Sequence, residues 1–131
     1  MSRAIAEILL EKARGNLNVA SLLADSDPAL AGVGHAIGFN LQQAVEKSAK
    51  ALLAWNGIQY RFTHEIEGLF RNISMKLLLI PERFLPLQVL TSFAEGARYE
   101  IDSPDDEIDR EECLALTAKF VEWIVSSLHR E

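Results

Sequence analysis

Gln42, Gln43, Glu46, Lys47 and Lys50 lie within the segment FNLQQAVEKSAKALLAW. On a helix these spacings gather the five side chains on one side. Two ammonium groups among amides could neutralise and hydrogen-bond a phosphate. The same row could line a subunit interface. It could also be a solvated face with an ordinary Glu46–Lys50 pair, worth about 0.3–0.5 kcal/mol. Two more pairs invite chemistry. Thr63-His64 could cap a helix or place an imidazole against a loop or ligand. In Arg98-Tyr99 the arginine could bind phosphate bidentately and the tyrosine could stack a base, or the arginine could pair with the acidic residues that follow.

Other chemistries find little support. The chain has one cysteine, Cys113, so it can form no intramolecular disulfide, and its neighbours Leu114 and Leu116 mark it as a small buried hydrophobe. Gly32-Val33-Gly34 lacks the Lys-Ser/Thr of a phosphate-binding loop. The acidic segment 100–109 lacks the glycine and glutamate positions of an EF-hand. No metal site, cofactor site or catalytic triad is predicted.

The elements that must position these residues read as helices. The first is predicted over residues 4–24, with Ile5, Ile8, Leu9, Ala13, Leu17, Ala20, Leu23 and Ala24 at helical spacing and Gly15 as a weak point. Residues 28–36 read as a loop. The second helix is predicted over 36–55, ending at Asn56-Gly57. Ile37, Leu41, Ala44, Val45, Ser48 and Leu52 share its apolar side. Phe39 and Leu53 fall on the polar side, so we expect this helix to be covered on both sides, by the core and by a second subunit or another helix. Phe39, Gln42, Glu46 and Leu53 are the candidate interface residues.

A third helix should start near Thr63-His64 and end near Asn72 or Lys76. Residues 77–80 read as a buried connection. A fourth is predicted over 82–97, with Pro86 bending its first turns. Asp109 and Glu112 resemble a capping box for the last helix. There Cys113, Leu116, Phe120 and Ile124 form one stripe and Leu114, Val121, Val125 and Leu128 an adjacent one, so this helix should be central or shared. Together these give an all-α antiparallel bundle of about five helices.

The chain has 131 residues, of which 49% are hydrophobic and 24% charged, as expected of one globular domain spanning 1–131. Its net charge of −6 is uneven: residues 100–112 hold eight acids and one arginine, whereas residues 47–99 hold seven bases and four acids. The acidity is local and does not exclude an anionic ligand elsewhere. The apolar runs are too short for a membrane span of roughly 20 residues. Glu7 and Glu11 come too early for a signal peptide, so a cytoplasmic location is expected.

Residues 39–64, FNLQQAVEKSAKALLAWNGIQYRFTH, resemble the HEPN family (higher eukaryotes and prokaryotes nucleotide-binding). Its small helical members carry a QQAxEKxxKALL helix and a following TH(D/E)(I/L) helix start. Many also have an RY pair where Arg98-Tyr99 stands. The resemblance implies a dimeric helical bundle. Active HEPN nucleases use an arginine, four to six residues, then a histidine, with two subunits forming one metal-independent site. None of the three histidines here has an arginine five to seven places before it, and after Arg98 those places hold Ser103, Pro104 and Asp105.

Members lacking that motif resemble the binding half of a pair with a minimal nucleotidyltransferase. The expectation is therefore a non-catalytic, homodimeric nucleotide- or substrate-binding module of a toxin–antitoxin or nucleotide-transfer system. Gln43, Lys47, Lys50, His64, Arg98 and Tyr99 are the candidate ligand contacts. The alternatives are a divergent ribonuclease toxin and a structural dimeric scaffold.

Overall fold

The computed structural model describes residues 2–27, 29–60, 65–94 and 109–129. The elements are α1 (Ser2–Ala24), α2 (Val33–Trp55), α3 (Ile66–Lys76), a 3-10 helix (Glu82–Leu90), α4 (Thr91–Ala94) and α5 (Arg110–Leu128). Among the described residues there is no strand, as the helical periodicity implied. No helix is long and apolar enough to cross a membrane, again among the described residues.

α2 is the hub and packs against every other element. Its predicted apolar side is buried throughout: Ile37, Leu41, Ala44, Val45, Ser48 and Leu52. It starts three residues earlier than the sequence reading, at Val33, after Gly32 adopts a left-handed φ of 80°. It ends as expected at Asn56-Gly57. Gly57, at φ 69°, donates its N–H to Ala54 O (3.0 Å), and Ile58 N–H reaches back to Leu53 O (2.9 Å). These two bonds are those of a Schellman motif, whose left-handed position favours glycine.

The fourth helix differs from expectation. Residues 82–90 wind as a 3-10 helix, and the α conformation covers only Thr91–Ala94. Pro86 lies inside the 3-10 segment. Its ring has no N–H and would clash with the preceding turn's carbonyl in an α-helix, so the tighter winding takes its place. Residues 77–80 are mixed: Ile80 is buried, Leu77 and Leu78 are half-buried, and Leu79 is exposed.

An aromatic cluster joins the second half of the chain. Phe120 of α5 lies 5.3 Å from Phe70, 5.2 Å from Phe84 and 6.0 Å from Trp123 between ring centroids. Tilted and edge-on contacts at these distances are favourable beyond simple burial. α5 also meets α1 and α2. Its cap is the expected one, with Asp109 Oδ1 accepting from Glu112 N–H at 2.8 Å.

Thr63 lies outside the described residues, and α3 begins after Glu65, whose side chain makes no capping hydrogen bond. Instead, the Ile66 N–H donates to Thr91 Oγ1 across 25 positions (3.1 Å, buried). An orphan helix amide is thus satisfied from α4. Phe93 of α4 lies against α2 at Gly38, where a Cβ would run into its ring. Glycine is what allows this approach.

Candidate polar site on the second helix

The polar row of α2 is not a solvated face. Gln42 is 0% exposed, Glu46 5% and Lys50 8%. Gln43 and Lys47 are half-buried. The cover that the flanking Phe39 and Leu53 implied comes from within the chain: Asn16 of α1 reaches Lys47, and the Tyr60 ring lies near Lys50.

Burial forces these groups to find partners, and they form two chains of hydrogen bonds. In the first, Gln43 Nε2 donates to Gln42 Oε1 (2.7 Å), and Gln42 Nε2 donates to Glu46 Oε1 (2.9 Å). The other carboxylate oxygen, Glu46 Oε2, accepts from Lys50 Nζ at 2.9 Å. The Lys50 ammonium lies 5.7 Å from the centre of the Tyr60 ring, within cation–π range. Burial raises the Tyr60 pKa, which keeps the phenol neutral.

The second chain crosses from α2 to α1. Lys47 Nζ donates to Asn16 Oδ1 (2.9 Å), Asn16 Nδ2 to Asn40 Oδ1 (2.9 Å), and Asn40 Nδ2 to Ala36 O (2.9 Å). Asn16, Asn40 and Tyr60 were not picked out from sequence. The available signal was an asparagine facing each half-apolar helix surface.

Lys47 is the unusual cation. Among the described residues no carboxylate lies within ion-pair distance of it; its partner is a neutral amide. Partial burial holds its pKa below the ordinary lysine value. The Lys12 and Lys50 charges add to that depression, and Glu46 opposes it. Lys47 therefore feels two like charges against one nearby carboxylate. Such an arrangement can hold a phosphate oxygen, because an anion removes the repulsion that burial intensifies.

The structure brings together Gln43, Lys47 and Lys50 from the sequence-derived ligand set. His64, Arg98 and Tyr99 lie outside the described residues. The interface candidates differ in exposure within the single chain. Gln42 and Leu53 are fully buried within the single chain and Glu46 nearly so. Of the four, only Phe39, at 40% exposure, presents substantial surface.

Residues 6–128 match the profile of the HEPN domain. The chain is 31% identical over 135 residues to the Methanocaldococcus jannaschii protein named "Putative toxin MJ1304". That alignment covers 91% of this chain and 85% of the relative. No solved structure is significantly similar to it. The helical architecture, the row on α2 and a match across nearly the whole chain agree: the protein belongs to the HEPN domain family.

Proposed function

We propose that this chain is a HEPN protein of toxin–antitoxin type that binds a nucleotide without cleaving RNA. Lys47 carries the reading: a half-buried ammonium, crowded by Lys12 and Lys50, that hydrogen-bonds only to an amide among the described residues. A phosphate at this position relieves the crowding. Lys47 and Gln43 would contact it directly. Lys50 would supply charge from behind, anchored by Glu46. His64, Arg98 and Tyr99 complete the proposed ligand set, with Arg98 on phosphate and Tyr99 stacked on the base. The missing Arg-x4–6-His spacing supports a role without catalysis. A minimal nucleotidyltransferase is the proposed partner, with this chain presenting the substrate.

Titration with ATP tests the site. Saturable binding that weakens about tenfold or more in Lys47→Ala is expected, since a hydrogen bond to a charged group contributes about 1.5–3 kcal/mol. Equal affinity in both proteins would remove Lys47 from the site.

The word toxin in the relative's name favours a second reading, and the family resemblance would make such a toxin a divergent ribonuclease. It requires cleavage of a mixed RNA in EDTA that disappears in Arg98→Ala. Intact RNA would leave the binding reading in place.

A further inference from the structure

The chain has five lysines: Lys12, Lys47, Lys50, Lys76 and Lys119. Lys12, Lys76 and Lys119 are exposed, and water solvates their ammonium groups. Lys50 is 8% exposed and paired with Glu46. Lys47 belongs to neither kind. It is half-buried, keeps part of its surface in water, and has no carboxylate within ion-pair distance among the described residues. Its ammonium donates instead to Asn16 Oδ1.

The polarity of that bond is built in. Ala36 O is a backbone carbonyl and can only accept. It turns Asn40 Nδ2 toward itself (2.9 Å), which leaves Asn40 Oδ1 to accept from Asn16 Nδ2 (2.9 Å). Asn16 then has its Oδ1 left for Lys47 (2.9 Å). The lysine is thus offered a neutral acceptor in a fixed place. A carboxylate there would favour the charged form strongly; an amide holds an N–H and leaves the charge uncompensated. Partial burial and the Lys12 and Lys50 charges loosen the proton further. A deprotonated Nζ can keep one N–H on Asn16 and still carry a lone pair. Lysines activated by burial and a neighbouring cation are nucleophiles.

We propose that Lys47 is an acylation site, modified by small acyl phosphates that the positive charge of Lys12 and Lys50 draws in. The inference rests on the reading of this cluster as a phosphate site. The Nζ lone pair attacks the acyl carbonyl carbon and a C–N bond forms. The C–O bond to the phosphate breaks, and inorganic phosphate leaves with the electron pair. The proton shed by nitrogen passes to water, and nothing is oxidised or reduced. The product suits the site. An acylated lysine is neutral and carries one N–H, which Asn16 Oδ1 can accept. Acylation also removes the charge that Lys12 and Lys50 repel. With it goes the ammonium that would hold a nucleotide phosphate, so the modification switches the proposed binding site off.

Acetyl phosphate is the probe. The native chain is treated at mildly alkaline pH, and acetylation of each lysine is followed by peptide mass spectrometry. Lys47 should react severalfold faster than Lys76 and Lys119, with Lys50 the slowest. The advantage should vanish in guanidinium, which disperses the cluster. It should shrink with N-acetoxysuccinimide, an uncharged acetyl donor that the two cations do not attract. Asn16→Asp sets a carboxylate against the ammonium and should bring Lys47 down to the surface rate or below, with circular dichroism checking the fold. A Lys47 rate no greater than that of the surface lysines would overturn the proposal. So would an advantage that persists in guanidinium, or one equally large with the uncharged donor. ATP titration of the unmodified chain reads the nucleotide site separately. ATP binding without fast acetylation removes only this inference; fast acetylation without ATP binding removes only the nucleotide.

Discussion

Lys47 and Lys50 lie one helical turn apart, but their partners differ. Lys50 is nearly buried on Glu46, so Lys50→Ala removes the ammonium paired with a buried carboxylate. That substitution should cost about 3 kcal/mol of stability in urea unfolding. Lys47→Ala should leave stability within about 0.5 kcal/mol, because it removes a crowded, partly exposed charge. Unfolding of both variants checks the contrast; equal losses would contradict the pairing.

The lowered Lys47 pKa has a pH consequence. The folded state holds the proton less tightly than the unfolded chain, so the cost is fully present below the folded pKa. Stability should therefore rise with pH between that lowered value and 10.5, the ordinary lysine pKa, and Lys47→Ala should flatten the rise. At this scale, residue types and spacing made the row legible. Phe39 and Leu53 on its polar side signalled that it is covered; the identity of the cover was not legible, because a helical wheel does not show which elements pack over a face.

Among the elements, the ends of helices carry the most specific information. Asn56-Gly57 and Asp109-Glu112 were readable because each cap is local chemistry within a few residues. Gly57→Ala forces a side chain into the left-handed region and should cost about 1 kcal/mol, measured by thermal or urea unfolding. The start of α3 was unreadable because its donor partner, Thr91, comes from another element. Thr91→Val keeps the shape and removes the acceptor, leaving a buried amide unpaired. A loss of about 1–3 kcal/mol is expected, and a neutral result would mean the amide is satisfied otherwise. Pro86 announced a distortion of the fourth helix. The extent of the 3-10 winding followed from packing, with Phe84, Leu87 and Leu90 all buried.

For the whole molecule, α2 is both the hub of the packing and the carrier of the candidate site. A ligand there would touch the element that every other helix contacts, so binding should raise the unfolding temperature of the entire chain. The bundle was legible in the sequence because helical periodicity and absence of alternating strands agree along its length. The exposure of Ile5 and Ile8 on α1 was not, since periodicity counts apolar residues without telling which side the core takes.

Calorimetric titration of ATP into native protein and Lys47→Ala, side by side, tests the binding role most directly. Saturable binding to the native chain, weakened about tenfold or more in the variant, is the expected result. No saturable binding, or the same affinity in both proteins, would contradict it.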